Sequence, residues 1–157
     1  MLFKMMNRLK KEEKGFTLIE LLAVIVILAV IAAIAVPYIL GVINKSKADS
    51  DIATARQVYD AARLYVTSEL SGDPKNQTIA VNEDSNTKGL IKQGYLDKGL
   101  VLPSTKAPIN GGEVKFTSTG ELWYVSLTTT AGGTKYLKGT DVIASTGAFV
   151  TSTPDAP

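Results

Sequence analysis

The 157-residue sequence contains no cysteine and no histidine. Without cysteine, neither a disulfide nor a thiolate metal site can form. Without histidine, there is no His-based catalytic triad, no His general base and no His metal ligand. Catalysis by carboxylates or by a Ser/Lys pair stays open, but we expect a protein that is not an enzyme and has no metal site or cofactor. Its fold must be held together by packing and strand pairing.

Charge is missing from one long stretch of the chain. Between Leu21 and Val36 no residue is charged or carries a strongly hydrogen-bonding side chain. As an α-helix, the segment from Leu21 to Leu40 would extend about 30 Å, which is enough to cross the hydrocarbon core of a bilayer. The sequence therefore predicts one membrane-spanning helix close to the N-terminus.

Positive charge is concentrated ahead of this stretch. The first fifteen residues carry two acidic side chains and five basic ones, namely Lys4, Arg8, Lys10, Lys11 and Lys14. A basic segment that precedes a membrane span stays in the cytoplasm, so the C-terminus is expected outside. The rest of the chain holds 12 basic and 13 acidic residues. Because it has no excess of positive charge, no direct nucleic-acid site is indicated.

Glu20 lies at the start of the apolar stretch, where a carboxylate needs a partner. A charged side chain at the centre of a membrane helix costs about 2.5–3.5 kcal/mol on insertion scales. An ordinary secretory signal, cut near Ala33-Ile34-Ala35 to leave Val36 first, gains nothing from such a residue, and neither does an uncleaved signal anchor. Cleavage after Gly15 would instead place a new amine on Phe16. That amine lies one helical turn from Glu20 and could pair with it in the same chain or in a neighbouring chain.

The basic leader, the sequence Gly15-Phe16-Thr17-Leu18-Ile19-Glu20 and the long apolar helix together resemble the class III signal of type IV pilins and pseudopilins. The resemblance implies that a prepilin peptidase cuts between Gly15 and Phe16 and that the amine of Phe16 is then methylated. It also implies that Phe16 and Glu20 guide the docking of each subunit among other copies in a helical filament.

The function implied by the resemblance is that of a structural subunit of a type IV pilus for adhesion or motility. Such a subunit lies in the cytoplasmic membrane before assembly and in an extracellular, cell-surface pilus afterwards, and its partners include the pilus assembly machinery. The alternatives are a pseudopilin of a competence (DNA uptake) or type II secretion apparatus, and a membrane-tethered binding protein with an ordinary signal. The lack of cysteine departs from pilins closed by a C-terminal disulfide and favours a Gram-positive type.

Two residues are expected to weaken the helix beyond its apolar stretch. Pro37 removes a backbone hydrogen bond and crowds the preceding turn, and Gly41 follows four residues later, so a kink or a local opening is predicted there. Pilins have a similarly placed proline. The alternative is that the helix ends at Val36. From Lys45 onwards apolar residues recur at spacings of three and four, which indicates an amphipathic helix that continues to Leu70.

These patterns predict an α+β fold in which a long N-terminal helix packs against a small antiparallel sheet. The expected segments are a cleaved leader (1–15), a hydrophobic helix (16–44), an amphipathic helix (45–70) and a globular head (71–157). A short linker helix is predicted from Lys88 to Lys98. The predicted strands are Val114 to Thr119, Leu122 to Thr128 and Thr134 to Lys138, with a fourth candidate from Ala148 to Ser152. Trp123, Val125 and Leu127 alternate along one strand and are expected to face the core.

Overall fold

The structure is a computed structural model that describes residues 15–82 and 88–156. Residues 1–14 of the predicted leader and residues 83–87 of a polar connection lie outside the described residues. The chain divides into two compact units, one that ends at Val42 and one that begins at Ile43. A single long helix contributes to both units.

This helix, α1 (Leu18–Glu69), is 52 residues long. Its bounds are close to those predicted because both halves are rich in residues that favour a helix and carry apolar side chains at helical spacing. Pro37 lies inside the helix, so the alternative that the helix ends at Val36 is wrong. The kink at Pro37 and Gly41 stays a prediction. The helix ends at a turn in which the amide of Gly72 donates to the carbonyl of Val66 across 2.9 Å.

The head contains five strands and one short helix. The elements in chain order are β1 (Thr78–Ala80), β2 (Val101–Leu102), β3 (Ala107–Phe116), β4 (Leu122–Thr129), β5 (Gly133–Lys138) and α2 (Gly139–Ala144). The sheet is antiparallel in the order β1-β3-β4-β5, and β2 pairs with the start of β3. The predicted α+β fold, with a long N-terminal helix packed against a small antiparallel sheet, is confirmed.

One hydrophobic cluster joins the second half of α1 to the sheet. The helix contributes a stripe of buried residues at spacings of three and four, which are Ile52, Ala55, Val58, Ala62, Tyr65 and Val66. The sheet contributes Val114, Val125, Leu127 and Leu137, all of them almost inaccessible to solvent. Because neither an amphipathic helix nor a small sheet can bury its apolar face alone, each stabilises the other.

The expectation that Trp123 belongs to this core is wrong. Lys115 and Phe116 are consecutive in β3 but pair with Tyr124 and Leu122 in β4, so Trp123 is an extra, unpaired residue. Such a β-bulge interrupts the alternation of side chains along the strand. Leu122 takes the core position, while the ring of Trp123 lies 5.4 Å from that of Tyr124.

The predicted linker helix from Lys88 to Lys98 is also absent from the described part of this segment, which consists of turns. One helical bond forms, from the amide of Gln93 to the carbonyl of Gly89. The chain then reverses at Gly94, whose φ of 82° is readily available only to glycine. Leu90, Ile91 and Leu96 are buried in the main core, so the segment packs against the head as a turn.

The fourth strand candidate, from Ala148 to Ser152, is reduced to a single bridge. The amide and the carbonyl of Val150 bond those of Tyr136 in β5, each across 2.8 Å. No sequence pattern predicted β1, β2 or α2, which contain three, two and six residues. Segments this short are below the length at which a periodic pattern can be recognised.

Candidate functional site

The first candidate site is the start of α1, where Thr17 and Glu20 form reciprocal hydrogen bonds. The backbone amide and the hydroxyl of Thr17 both donate to Oε2 of Glu20, each across 2.8 Å. In return, the amide of Glu20 donates to Oγ1 of Thr17 across 3.3 Å. This arrangement is a capping box, which satisfies backbone amides that the first turn of a helix leaves without partners.

The capping box changes the interpretation of Glu20. The carboxylate already has two donors in the uncleaved chain, before any new amine exists on Phe16. Both bonds end on Oε2, and no described residue donates a hydrogen bond to Oε1. One carboxylate oxygen therefore holds the helix end, while the other is available to a further partner.

Thr17 is the functional residue that the sequence interpretation missed. Its role could have been found, because a threonine followed three residues later by glutamate, directly before an apolar run, predicts a capping box. The structure brings Thr17 and Glu20 together. Gly15 and Phe16 precede the helix and are exposed, with 82% of Phe16 accessible to solvent. The pairing of the Phe16 amine with Glu20 stays a prediction, because the amine arises only on cleavage.

The apolar half of α1 is exposed along its length. Its most apolar 18-residue window has a mean hydropathy of 3.1, and none of that window is buried within the chain. Within the residues that the structure describes, α1 is the one helix long and apolar enough to cross a membrane. The exposed surface consists of large aliphatic side chains such as Leu21, Ile25, Leu28 and Ile31. A surface of this kind requires lipid or other protein chains around it.

A second feature of interest is the outer face of the head, where the C-terminal segment lies over the sheet. Nε1 of Trp123 donates to the carbonyl of Asp155 across 3.0 Å, and Pro154 is buried. Nζ of Lys115 lies 4.7 Å from the centre of the Trp123 ring, which indicates a cation–π contact. Together with the bridge at Val150, these contacts fix the C-terminal segment without a disulfide.

The same face carries a buried tyrosine. Tyr124 packs edge-on against Tyr136 at 5.6 Å and donates a hydrogen bond from its hydroxyl to Oε1 of Glu113. Burial, reinforced by the bond to Glu113, raises the pKa of the Tyr124 hydroxyl well above its ordinary value. The hydroxyl is therefore a permanent donor at any physiological pH, and its place in the sheet indicates a structural role.

Two contacts between α1 and the later part of the chain hold the head together. The guanidinium of Arg56 donates to the carbonyl of Ile143 and to Oγ of Ser145 at the end of α2. Oδ1 of the buried Asp51 accepts the amide of Ser104 across 2.8 Å. Neither constellation is arranged for catalysis, and within residues 15–82 and 88–156 no group of three or more acidic side chains is placed to hold a metal ion.

Comparison with known proteins finds a family match close to the N-terminus and several similar curated proteins. Residues 10–36 match the family described as the prokaryotic N-terminal methylation motif. The chain is 41% identical over 69 residues to the type II secretion system core protein G of Aeromonas hydrophila, an alignment that covers 38% of this chain and 47% of the relative. It is 36% identical over 83 residues to the type IV major alpha-pilin of Moraxella bovis, with 48% and 52% covered.

These alignments cover only part of each protein. The core protein G of Dickeya chrysanthemi is 40% identical over 70 residues, which cover 39% of this chain and 44% of the relative. The chain thus spans about half the length of the curated relatives it matches. No solved structure matches the chain. The Gram-positive type expected from the lack of cysteine stays a prediction.

The matched residues 10–36 include Gly15, Phe16, Thr17 and Glu20, the residues that form the first candidate site. They also include most of the exposed apolar surface of α1. The chain therefore carries the prokaryotic N-terminal methylation motif of class III signal peptides, and it is similar to a type IV major alpha-pilin and to several type II secretion system core proteins G.

Proposed function

We propose that this protein is a structural subunit that polymerises through the apolar half of α1 into a filament of the type IV pilin class. The observation that carries the proposal is the combination of an exposed apolar half of α1 with a capped carboxylate at its start. Lipid satisfies the apolar surface before assembly, and the same surface on other copies satisfies it afterwards.

Under this proposal, Glu20 has two successive roles. In the precursor, Thr17 donates to Oε2 and lowers the cost of holding a carboxylate near the membrane. When a prepilin peptidase removes the leader after Gly15, the new amine of Phe16 becomes a positive partner for the remaining oxygen. That amine can come from the same chain or from a neighbouring copy that is displaced along the filament. Pairing between copies would fix the stagger of adjacent helices.

The proposed location follows from the same features. The subunit is held in the cytoplasmic membrane by α1, with the basic leader inside and the head outside, until assembly carries it into the filament. Its proposed partners are the prepilin peptidase, other copies of itself and the assembly machinery. Methylation of the Phe16 amine, implied by the motif that residues 10–36 match, would keep that nitrogen positively charged.

Two filaments remain candidates. The first is a cell-surface type IV pilus for adhesion or motility, which the similarity to the Moraxella bovis pilin supports over the longest of the described alignments. The second is the pseudopilus of a type II secretion apparatus, which the similarity to several core proteins G supports. The comparisons do not favour the pilus over the pseudopilus. A competence pseudopilin is a further variant of the second candidate.

The experiment that tests the proposal is mass spectrometry of the mature protein from its native host. We expect the chain to begin at Phe16, with one methyl group on the amine. A chain that begins at Val36 would be the product of an ordinary signal peptidase. The protein would then lack the apolar half of α1 up to Ala35, and the proposal would be wrong. A chain that retains its first fifteen residues would contradict the proposal as well.

Deletion of the gene separates the two filaments. A pilus subunit is required for surface filaments that can be sheared from cells and purified, and its loss removes them. A pseudopilin is required for the export of folded proteins. Its loss causes those proteins to stay within the cell envelope and not to reach the medium. Complementation with the wild-type gene should restore whichever property is lost.

A further inference from the structure

The head contains an open pocket that the proposed filament does not use. Its volume is about 430 Å³, and it lies between the second half of α1, the turn that follows the helix and the turn between β3 and β4. Val66 and Phe116 form the floor, with 5% and 4% of their surfaces exposed. The rim includes Gly72 and Gly120, which add no side chains that would narrow the entrance.

Among the described residues that line this pocket, the cation is Arg63. The guanidinium carbon of Arg63 is 5.8 Å from the centre of the Tyr59 ring, and that ring is 6.3 Å from the ring of Phe116. A guanidinium held beside an aromatic ring by cation–π attraction still has N–H donors that can point outward in its own plane. No carboxylate within residues 15–82 and 88–156 forms an ion pair with Arg63, so its donors are available to a ligand.

Polar groups near Arg63 supply the rest of the site. Oγ1 of Thr67 donates to the carbonyl of Arg63 across 2.9 Å, one turn further along α1. Because the hydroxyl has used its one proton, its lone pairs can only accept. The pocket therefore offers an anion-binding fork, a half-buried aromatic face and a hydroxyl acceptor within one open depression.

We propose that this pocket binds an acidic sugar, a hexuronate unit at an end or branch of a polysaccharide. The carboxylate of the sugar pairs with the guanidinium of Arg63, in the planar geometry that arginine favours. The apolar face of the pyranose ring packs against the exposed part of the half-buried Tyr59 ring that Arg63 and Phe116 leave uncovered, and a sugar hydroxyl donates to Oγ1 of Thr67. The open rim leaves room for the rest of the polymer. The inference goes beyond the proposed function and does not depend on filament formation.

A titration of the full-length protein in detergent micelles with trigalacturonate, followed by calorimetry, tests the inference. We expect saturable binding that Arg63→Gln weakens by about tenfold or more, because the charge-assisted pair is lost. Tyr59→Leu should weaken binding similarly, whereas Tyr59→Phe keeps the aromatic face and should change affinity by less than about twofold. Lys47→Gln, which removes an exposed cation elsewhere on α1, is the matched charge control.

Two further probes identify the chemistry that the pocket recognises. The neutral trisaccharide of galactose should bind about tenfold or more weakly than trigalacturonate, because it has no carboxylate for Arg63. Equal binding of the two sugars, or an Arg63→Gln protein with wild-type affinity, would overturn the inference. So would a triglutamate peptide that binds as tightly as the uronate, since the site would then recognise acidic peptides. Arg63→Gln should still be processed to Phe16, which keeps this test separate from that of the proposed function.

Discussion

Both hydrogen bonds that Thr17 donates to Glu20 end on the same carboxylate oxygen, Oε2. The pair therefore caps the helix and fixes the orientation of the Glu20 carboxylate. Oε1 has no hydrogen-bond donor among the described residues. Helix capping explains the position of Oε2 only. Charge pairing with a new amine would explain the use of Oε1 only. The two roles can be separated, because glutamine keeps an oxygen acceptor for the cap and removes the charge.

The first prediction concerns Glu20. We expect Glu20→Ala and Glu20→Gln to be cut normally after Gly15, because the cleavage site is unchanged, and to be excluded from filaments because the negative charge is lost. Processing is measured by mass spectrometry and incorporation by the fraction of subunit in sheared filaments. Glu20→Asp, which keeps the charge on a shorter side chain, is the control and should retain part of the incorporation.

The glutamine variant decides between the two roles. If Glu20→Gln assembles normally while Glu20→Ala does not, the cap is the essential function and the proposed pairing with the Phe16 amine is wrong. Normal filaments from Glu20→Ala would contradict both roles. Loss of the cap alone is expected to cost about 1 kcal/mol in helix stability, which is small beside the surface that the rest of α1 buries on assembly.

How much of the fold the sequence predicts depends on the length over which each pattern repeats. The bounds of α1, Leu18–Glu69, lie within two residues of the predicted helix 16–70 because its apolar periodicity continues for many turns. The position of Trp123 was mispredicted because it lies at a β-bulge. A bulge depends on how two strands pair, so the sequence of one strand alone does not predict it. The turn at Gly94 replaced a predicted helix for a local reason, since one glycine with positive φ ended it after a single turn.

The candidate site was predicted in the same uneven way. Gly15, Phe16 and Glu20 were identified because a specific motif places them at fixed offsets. Thr17 was missed, although a capping box is a local pattern that the sequence contains. The pocket at Arg63 could not be predicted, because it joins α1 to a turn between β3 and β4 that lies more than fifty residues away in the sequence.

The second prediction concerns the C-terminal segment. A chain that ends at Ser152 loses the buried Pro154 and the carbonyl of Asp155 that accepts from Trp123. We expect a loss of about 1–3 kcal/mol in the free energy of unfolding, from one hydrogen bond and the exposed apolar surface. Trp123 is the only tryptophan in the sequence, so its fluorescence emission should shift to the red as the indole becomes hydrated.

A chain that ends at Ala156 is the matched control for this truncation, because it keeps the peptide bond after Asp155. It keeps Pro154 and the carbonyl of Asp155, so its emission spectrum and its stability should equal those of the full-length protein. If the shorter truncation shifts the Trp123 emission as much as the longer one, the hydrogen bond to Asp155 is not what orders the segment.

The third prediction concerns the close approach of α2 to the start of β4. A Cβ atom added at Gly139 would overlap the backbone carbonyl of Leu122, which cannot move without disturbing the sheet. We expect Gly139→Ala to lower the free energy of unfolding by about 1–3 kcal/mol or more, as is typical of overpacking. Gly99→Ala is the control, since a Cβ there meets no atom within 4 Å. Thermal unfolding followed by circular dichroism compares the two variants, and equal midpoints would contradict the prediction.

The fourth prediction concerns Asp51, a buried acidic residue whose Oδ1 accepts the amide of Ser104. Asp51→Ala leaves that partly buried amide without an acceptor, which should cost about 1–3 kcal/mol in the free energy of unfolding. Asp51→Asn retains an oxygen at the same position and should cost less than half as much, whereas Asp49→Ala removes an exposed carboxylate and should be nearly neutral. Chemical denaturation of the full chain in detergent measures all three. If the asparagine variant is as unstable as the alanine variant, the charge of Asp51 and not its hydrogen bond stabilises the head.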